Sequence, residues 1–81
     1  MGRETVYSDH TIKRMAERNI SADEIRLVIN NPDSTAPAND GATNAWRRLH
    51  NRNLRVTYIV TRVGQGKQKK STMFVITVAV G

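Results

Sequence analysis

His10, Arg14 and Arg18 have the residue types and the spacing of a group that could act on a phosphate. Residues four positions apart lie on one face of a helix, so these side chains are predicted to form a single stripe. Histidine titrates near neutral pH and can move a proton, and the planar guanidinium of arginine matches a phosphate. RNA cleavage by its own 2′-hydroxyl needs both groups, because a proton must leave while charge builds on the phosphate. In the structural alternative, His10 helps to cap the helix and the arginines pair with nearby carboxylates, namely Glu17, Asp23 or Glu24.

A second group of cations surrounds the single tryptophan, between residues 46 and 55. Its members are Trp46, Arg47, Arg48, His50, Arg52 and Arg55. An aromatic ring among cations is typical of surfaces that bind single-stranded nucleic acid. The segment is predicted to form a β-hairpin, and a shift of one residue in its register would exchange its two faces.

Two registers of this hairpin are compatible with the sequence. A two-residue turn at Asn51-Arg52 places on the outer face Trp46, Arg48, His50 and Arg55. A longer loop, Asn51-Arg52-Asn53, instead places Trp46 opposite Tyr58 in the core. The outside residues are then Arg47 and Arg55, and those at the edge of the core are Arg48 and His50. A lone tryptophan in a small domain is usually well buried, so we favour the longer loop.

Three further cations, Lys67, Lys69 and Lys70, follow a glycine-rich turn. The segment Gly64-Gln65-Gly66-Lys67 lacks the spacing of a phosphate-binding loop and the helix that should follow it. Either these lysines contact phosphates or they form a solvated hairpin tip, and the hairpin tip is the simpler interpretation.

The charge of the chain is divided unevenly along its 81 residues, which carry 13 basic and 7 acidic side chains. Every carboxylate lies at or before Asp40, so the second half of the chain is purely basic. Such asymmetry predicts a polyanionic partner, RNA foremost.

Composition also excludes several classes of protein. The chain has no cysteine, and its two histidines and its carboxylates lack metal-ligand spacing, so we expect no disulfide, no metal and no cofactor. No apolar run approaches the ~18 residues of a membrane span, and Met1-Gly2-Arg3-Glu4 lacks the apolar core of a signal peptide. We therefore expect a cytoplasmic protein without a membrane partner.

The pattern of the chain predicts one α+β domain over residues 1–81. A strand over residues 3–7 is followed by a helix to residue 18, capped by Ser8 or Asp9, with the predicted buried face Ile12, Met15 and Ala16. Ser21 and Glu24 form a capping box for a second helix that ends at Asn31-Pro32, with the predicted buried stripe Ile25, Val28 and Ile29.

Residues 33–43 are predicted to be a loop, followed by strands over residues 45–50, 54–62 and 71–80. The predicted order is β-α-α-β-β-β, with two helices packed on one face of a mainly antiparallel sheet. The last strand is apolar on both faces, so it is either covered on both sides or leaves one face for a partner.

The segment from His10 to Ser21, followed by Asn31-Pro32, resembles a family of small bacterial domains of unknown function. The pattern of that family is a histidine, then Arg-Met, then Glu-Arg-Gly-Ile-Ser; the residues that fit are His10, Arg14, Met15, Glu17, Arg18 and Ile20. The family looks related to the RelE/ParE toxin superfamily, with BrnT-type toxins nearby. The resemblance implies the β-α-α-β-β-β core and, in active relatives, metal-independent cleavage of mRNA, whereas other relatives poison gyrase.

The leading hypothesis is therefore a small RelE/ParE-like protein of the toxin type that engages RNA. If it is an enzyme, it is a metal-independent endoribonuclease in which His10 transfers the proton, His50 is the reserve candidate, and the phosphate is held by Arg14, Arg18, Arg48 and Arg55. One alternative is a nucleic-acid-binding module without catalysis. Another is a protein-interaction module, such as a gyrase poison neutralised by an antitoxin, acting as a monomer or a homodimer.

Overall fold

The computed structural model describes residues 4–63 and 70–80 of the chain. The elements are β1 (Glu4–Tyr7), α1 (Asp9–Arg18), α2 (Ala22–Asn30), β2 (Ser34–Pro37), a 3₁₀ turn (Asn39–Gly41), β3 (Thr43–Leu49), β4 (Arg52–Val63) and β5 (Lys70–Val80). The five strands form one sheet in the order β1-β5-β4-β3-β2. The β1–β5 pair is parallel and the other pairs are antiparallel. The predicted α+β class and the two helices on one face of a mainly antiparallel sheet are confirmed.

The hydrophobic core lies between the helices and one face of the sheet, which we call the inner face. Fully buried apolar side chains come from α2 and from the three central strands, namely Ile25, Val28, Ala45, Leu54, Val56, Val75 and Val78. The predicted buried stripe of α2, Ile25, Val28 and Ile29, is confirmed. Among the described residues, no helix is long and apolar enough to cross a membrane.

The segment predicted to be a loop over residues 33–43 contains the edge strand β2. It pairs with β3 from Ser34 opposite Trp46 to Pro37 opposite Thr43. A proline is tolerated in an edge strand, because one side of that strand needs no ladder hydrogen bond. Ser34, Thr35 and Pro37 are exposed, so no alternation of apolar residues marks this strand in the sequence.

The predicted buried face of α1 is wrong for Ile12 and Ala16, although Met15 packs against the core as predicted, because polar contacts set the rotation of this helix. Ile12 is 54% exposed and Ala16 is exposed, whereas Thr11 is completely buried and Met15 is half-buried. The Thr11 hydroxyl donates to the carbonyl of Val75 over 3.1 Å. The spacing of apolar residues gives no sign of a buried threonine whose hydroxyl is hydrogen-bonded to a strand carbonyl.

The N-cap of α1 is attached to an irregularity in β5. Thr57 lies opposite Thr77 but Tyr58 lies opposite Val75, so Ile76 is an extra residue in β5. Ser8 accepts from the Thr11 amide as the predicted N-cap and donates to the Ile76 carbonyl over 2.7 Å. The start of α1 is thereby fixed to the carbonyls of Val75 and Ile76, at the bulge in β5.

This bulge also changes the predicted faces of the last strand. Met73, Val75 and Val78 are buried on the inner face, instead of a strict alternation along the whole strand. Phe74 and Ile76 are each more than one third exposed. No described helix packs on the other face of the sheet, which we call the outer face, so the prediction that β5 is covered on both sides is wrong within residues 4–63 and 70–80.

The hairpin between β3 and β4 has a register that differs from both alternatives. Leu49 lies opposite Arg52, so the turn is His50-Asn51, with φ angles of 49° and 66°. Positive φ at both central residues is the property of the type I′ turn that joins twisted strands. Trp46 consequently lies opposite Arg55 on the outer face. The favoured placement of Trp46 in the core is wrong.

Two arginines on the inner side of this hairpin hold the ends of the helices. Arg47 donates through Nη1 to the carbonyl of Asn31, the C-cap of α2, over 2.6 Å. Arg52 donates through Nη1 to the carbonyl of Arg18 over 2.7 Å and through Nη2 to that of Asn19 over 3.3 Å, at the end of α1. Helix C-termini carry unpaired carbonyls and partial negative charge, so both guanidiniums satisfy what the helices lack.

Arg52 also joins the end of α1 to the beginning of α2. Its Nη2 donates to Oε2 of Glu24 over 2.9 Å, while Oε1 of Glu24 accepts from the Ser21 amide in the capping box. The capping-box hydrogen bond and then the Arg52 guanidinium hold the pKa of Glu24 below its ordinary value, and they outweigh the opposing effect of burial. The single carboxylate thus ties the first turn of α2 to the hairpin.

Arg52→Met should lower the free energy of unfolding by about 2–3 kcal/mol, because it removes charge-assisted hydrogen bonds to α1 and α2 while keeping the aliphatic stem. Arg55→Met, on the same strand but on the outer face, is the matched control and should change stability by less than about 0.5 kcal/mol. Urea unfolding followed by circular dichroism measures both. Equal losses in the two variants would show that Arg52 has no special structural role.

Glu24→Gln should reveal the contribution of the Glu24 charge through its pH dependence. A carboxyl whose pKa is lower in the folded state stabilises that state above the ordinary glutamate pKa of about 4.3, and this stabilisation is lost as the pH falls through the folded-state pKa. The wild type should therefore be more stable than Glu24→Gln at pH 7, by about 1 kcal/mol, and the difference should vanish in acid. A difference that stays constant between pH 7 and pH 3 would contradict this.

Candidate nucleic-acid interface

The outer face carries a compact group of polar and aromatic side chains at the hairpin end. Register places Trp46 opposite Arg55 and Arg48 opposite Asn53. We call these four residues the hairpin patch. Arg48, Asn53 and Arg55 are exposed and Trp46 is half-buried. A ring that lies flat on a sheet among free cations can stack on a base while the cations hold the adjacent phosphates.

A shallow, open pocket of about 450 Å³ lies between the hairpin patch, which provides part of its lining, and the chain entering β2. Its lining comes from β3, from the start of β4 and from the chain entering β2, namely Asp33, Ser34, Trp46, Arg47, Arg48 and Asn53. The volume lies within the range of small-ligand pockets. The pocket therefore joins an aromatic wall to charged groups of both signs.

Asp33 is fixed at the sheet edge by hydrogen bonds in both directions. Its amide donates to the carbonyl of Trp46 over 2.7 Å, and its Oδ2 accepts from the Arg48 amide over 3.0 Å. The Asp33 side chain therefore extends the pairing with β3 by accepting a backbone hydrogen bond just before β2 begins at Ser34. The other oxygen, Oδ1, is 4.0 Å from Nη1 of Arg47, and the side chain is 60% exposed. One carboxylate edge is consequently oriented by the backbone and still accessible to a ligand.

Polar side chains continue the outer face away from the hairpin. Thr57 donates to Oδ1 of Asn44 and lies opposite Thr77 on β5. Beyond them Ile59 lies opposite Phe74, about 13 Å along β4 from Arg55 at the ordinary rise per residue. The outer face is therefore long enough for more than one nucleotide, with an aromatic ring near each end.

The histidine and arginines of α1 lie on the other side of the sheet. The helix packs on the inner face, with His10 and Arg18 exposed and Arg14 half-buried. The sheet separates them from Trp46, Arg48 and Arg55, although Arg52 of the second predicted group donates to the carbonyl of Arg18. Within the described part of the chain, Asp23 pairs with Arg26 and Glu24 with Arg52, and no ion pair involves Arg14 or Arg18.

The remaining predicted residues are distributed differently. Arg47 and Arg52 point to the inner face, where the ends of the helices engage their guanidiniums. His50 is exposed in the hairpin turn. Lys67 and Lys69 lie outside the described residues, and Lys70 begins β5, although its side chain is not described. Among the members of the predicted nucleic-acid group that the structure describes, only Trp46, Arg48 and Arg55 therefore share the outer face.

Sequence reasoning missed the polar residues that complete the pocket, Asp33 and Asn53. Asp33 lies in the segment that is predicted to be a loop. Its carboxylate carries the charge opposite to that of the side chains expected to bind phosphate. Asn53 was assigned to a turn because asparagine favours turns. The available signal for Asp33 is its position directly after Asn31-Pro32. The second helix is predicted to end there, so the next residues must connect the helix to the sheet.

Within residues 4–63 and 70–80, no three His, Asp or Glu side chains gather as metal ligands would. The two histidines lie apart, on α1 and in the hairpin turn. The chemistry available at the outer face is therefore stacking, hydrogen bonding and charge neutralisation.

A family described as a domain of unknown function, DUF4258, matches residues 7–80. The chain belongs to the DUF4258 family. The DUF4258 match includes both helices and strands β2 to β5, and so it includes the hairpin patch and the pocket. It confirms the resemblance to a small domain family of unknown function, and it provides no link to the RelE/ParE superfamily or to BrnT-type toxins. No curated protein and no solved structure shows significant similarity to the chain.

Proposed function

We propose that this DUF4258 protein binds single-stranded RNA on the outer face of its sheet. The observation that carries the proposal is the hairpin patch, in which Trp46 lies opposite Arg55 and two residues before Arg48 on a face that no described helix covers. Base stacking on an aromatic ring and phosphate contacts with cations are the two contributions that non-specific single-strand binders combine.

The electrostatics of the chain support this assignment. Residues 41–81 contain no carboxylate, so the outer face at the hairpin carries little negative charge of its own apart from Asp33. Among the described residues, no ion pair involves Arg48 or Arg55. Free guanidiniums neutralise phosphates and release counterions, and this release makes affinity fall steeply with salt.

The geometry favours binding without cleavage at this surface. A phosphate held by Arg48 and Arg55 lies across the sheet from His10, which is the proton-transfer candidate. Proton transfer requires hydrogen-bond reach, directly or through one water molecule. The outer face therefore has the elements of a binding platform, and the sheet keeps the α1 histidine away from it.

Variants of the hairpin patch should weaken RNA binding in two distinguishable ways. For a mixed-sequence 12-nucleotide RNA, Trp46→Ala should cost about 1–3 kcal/mol, or roughly 5- to 150-fold in Kd, through lost stacking. Arg55→Ala should reduce the slope of log Kd against log salt by about 0.7, the value for one phosphate contact on a single strand. Fluorescence anisotropy with a labelled RNA measures both quantities.

Arg26→Ala is the matched control, because Arg26 is an exposed arginine on α2, on the other side of the sheet. It removes the same charge and should leave affinity and salt slope close to those of the wild type. If Arg26→Ala weakens binding as much as Arg55→Ala, the attraction is a property of net charge and the outer face is not the interface.

A second candidate function is metal-independent RNA cleavage at the stripe on α1, which is the activity that the mRNA-cleaving toxins of the RelE/ParE superfamily would imply. The observation that favours it is that Arg14 and Arg18 form no ion pair with a described carboxylate, which leaves both guanidiniums available to a phosphate beside His10. The structural alternative, in which these two arginines pair with nearby carboxylates, is thereby weakened.

Under this second candidate, cleavage of RNA should continue in EDTA and should fall at least 100-fold in His10→Ala, because general acid–base catalysis contributes that much. His50→Ala, in the exposed turn, is the matched histidine control and should retain activity. Gel analysis of labelled mRNA, with and without ribosomes, measures the rate. RNA that stays intact under all these conditions would contradict the cleavage function and would not affect the proposed binding function.

A further inference from the structure

We propose that the pocket beside the hairpin patch binds a guanine base; this inference rests on the proposed RNA-binding function and names the nucleotide that the surface selects. The pocket combines an aromatic wall, one oriented carboxylate and two exposed donors, from Trp46, Asp33, Arg48 and Asn53. Each of these groups has a counterpart on guanine, and no other base matches all of them.

The indole of Trp46 supplies the stacking surface. It is half-buried, opposite Arg55 on one side and Ser34 on the other, so its position is fixed by two neighbouring strands. Bases of every kind stack on an aromatic side chain. Stacking therefore provides affinity, and selection among bases must come from the polar groups of the pocket.

The carboxylate of Asp33 supplies the selection. Guanine presents two adjacent donors, N1–H and the N2 amino group, and an ionised carboxylate is an acceptor-only group with two oxygens that matches them. Because Oδ2 already accepts from the Arg48 amide, the carboxylate plane is held in place before a ligand arrives. The second lone pair of Oδ2 is available for one guanine donor, and Oδ1, which lies 4.0 Å from Nη1 of Arg47, retains a lone pair for the other.

The same carboxylate rejects the other bases. Uracil presents a single N3–H between two carbonyl oxygens, which a carboxylate repels, and adenine and cytosine each present one amino group beside an acceptor nitrogen. Specificity is a difference of affinities and needs such a repulsive element. Asp33 is the one acidic residue that lines this pocket, so it provides that element in an otherwise basic region.

Arg48 and Asn53 lie opposite each other on β3 and β4, and their side chains supply donors to the same pocket. Guanidinium and amide groups donate to the guanine acceptors O6 and N7, and the arginine contact is the most frequent base-specific contact in protein–nucleic acid complexes. Arg55, beyond Trp46, is then placed to neutralise a phosphate that flanks the bound base.

The test uses four labelled nine-nucleotide RNAs, each oligouridine with G, A, C or U at the central position. The full-length protein should bind the G-containing RNA at least tenfold more tightly than the other three in fluorescence anisotropy. Asp33→Asn should reduce this preference at least fivefold, while the Kd for the all-uridine RNA stays the same or improves. The asparagine retains an acceptor for the Arg48 amide, so the fold is expected to survive, and circular dichroism checks this.

Asp40→Asn is the matched control, because Asp40 is an exposed carboxylate in the 3₁₀ turn and not a residue of the pocket. It removes the same charge and should leave the preference for G unchanged. Equal loss of preference in Asp33→Asn and Asp40→Asn would overturn the assignment of Asp33.

Competition with free GMP and AMP identifies the source of the base. Displacement of the labelled RNA by GMP but not by AMP assigns the pocket to a guanine nucleotide, whereas a preference for G seen only within the RNA assigns it to a strand. Equal affinity of the wild type for all four RNAs, without selective GMP binding, would overturn the inference. If that equal affinity still depends on salt and on Trp46, the proposed RNA-binding function stands without the guanine site. If no RNA binds, the RNA-binding function and the guanine site are both wrong.

Discussion

Arg52 donates to the last carbonyls of α1 and to the Glu24 carboxylate in the first turn of α2, and it does so from the first residue of β4. Successive side chains of a strand point to opposite faces. Once Arg52 and its neighbour Arg47 turn toward the helices, Trp46 and Arg55 must turn away from them. The contact that orients the helices therefore also determines which side chains reach the outer face.

This alternation divides the basic half of the chain into two populations with different roles. The inner-face arginines, Arg47 and Arg52, donate to helix carbonyls, and Arg52 also pairs with Glu24, so these donors are engaged within the fold. Arginines of the outer face, Arg48 and Arg55, remain accessible beside the indole. The net charge of the sequence therefore overstates the number of cations that the interface offers to phosphates, because a guanidinium that donates to a helix end is no longer available to a phosphate.

The sequence predicted best where the signals are local. The Ser21–Glu24 capping box and the apolar stripe of α2 are interactions within one turn or one helix, and both are observed. The rotation of α1 depends on the Thr11 hydroxyl and a strand carbonyl 64 residues away, so apolar spacing misassigned its face. The hairpin register depends on positive φ at His50 and Asn51, and the position of Asp33 depends on the strand it extends. The rotation of α1 and the position of Asp33 come from partners that are distant in sequence, whereas the hairpin register comes from the local conformation of a turn for which the sequence allows several registers.

The separation of the two cationic surfaces constrains any function that uses both. The stripe of α1 and the hairpin patch lie on opposite sides of the sheet, so they cannot contact the same phosphate. An RNA that occupied the outer face would have to pass around an edge of the sheet to reach His10, and it would do so several nucleotides away from the base on Trp46. Recognition and cleavage, if this protein performs both, therefore act on different nucleotides of one strand. Base selection at the pocket would then set where the strand is held, and the length of the path around the sheet would set where it is cut.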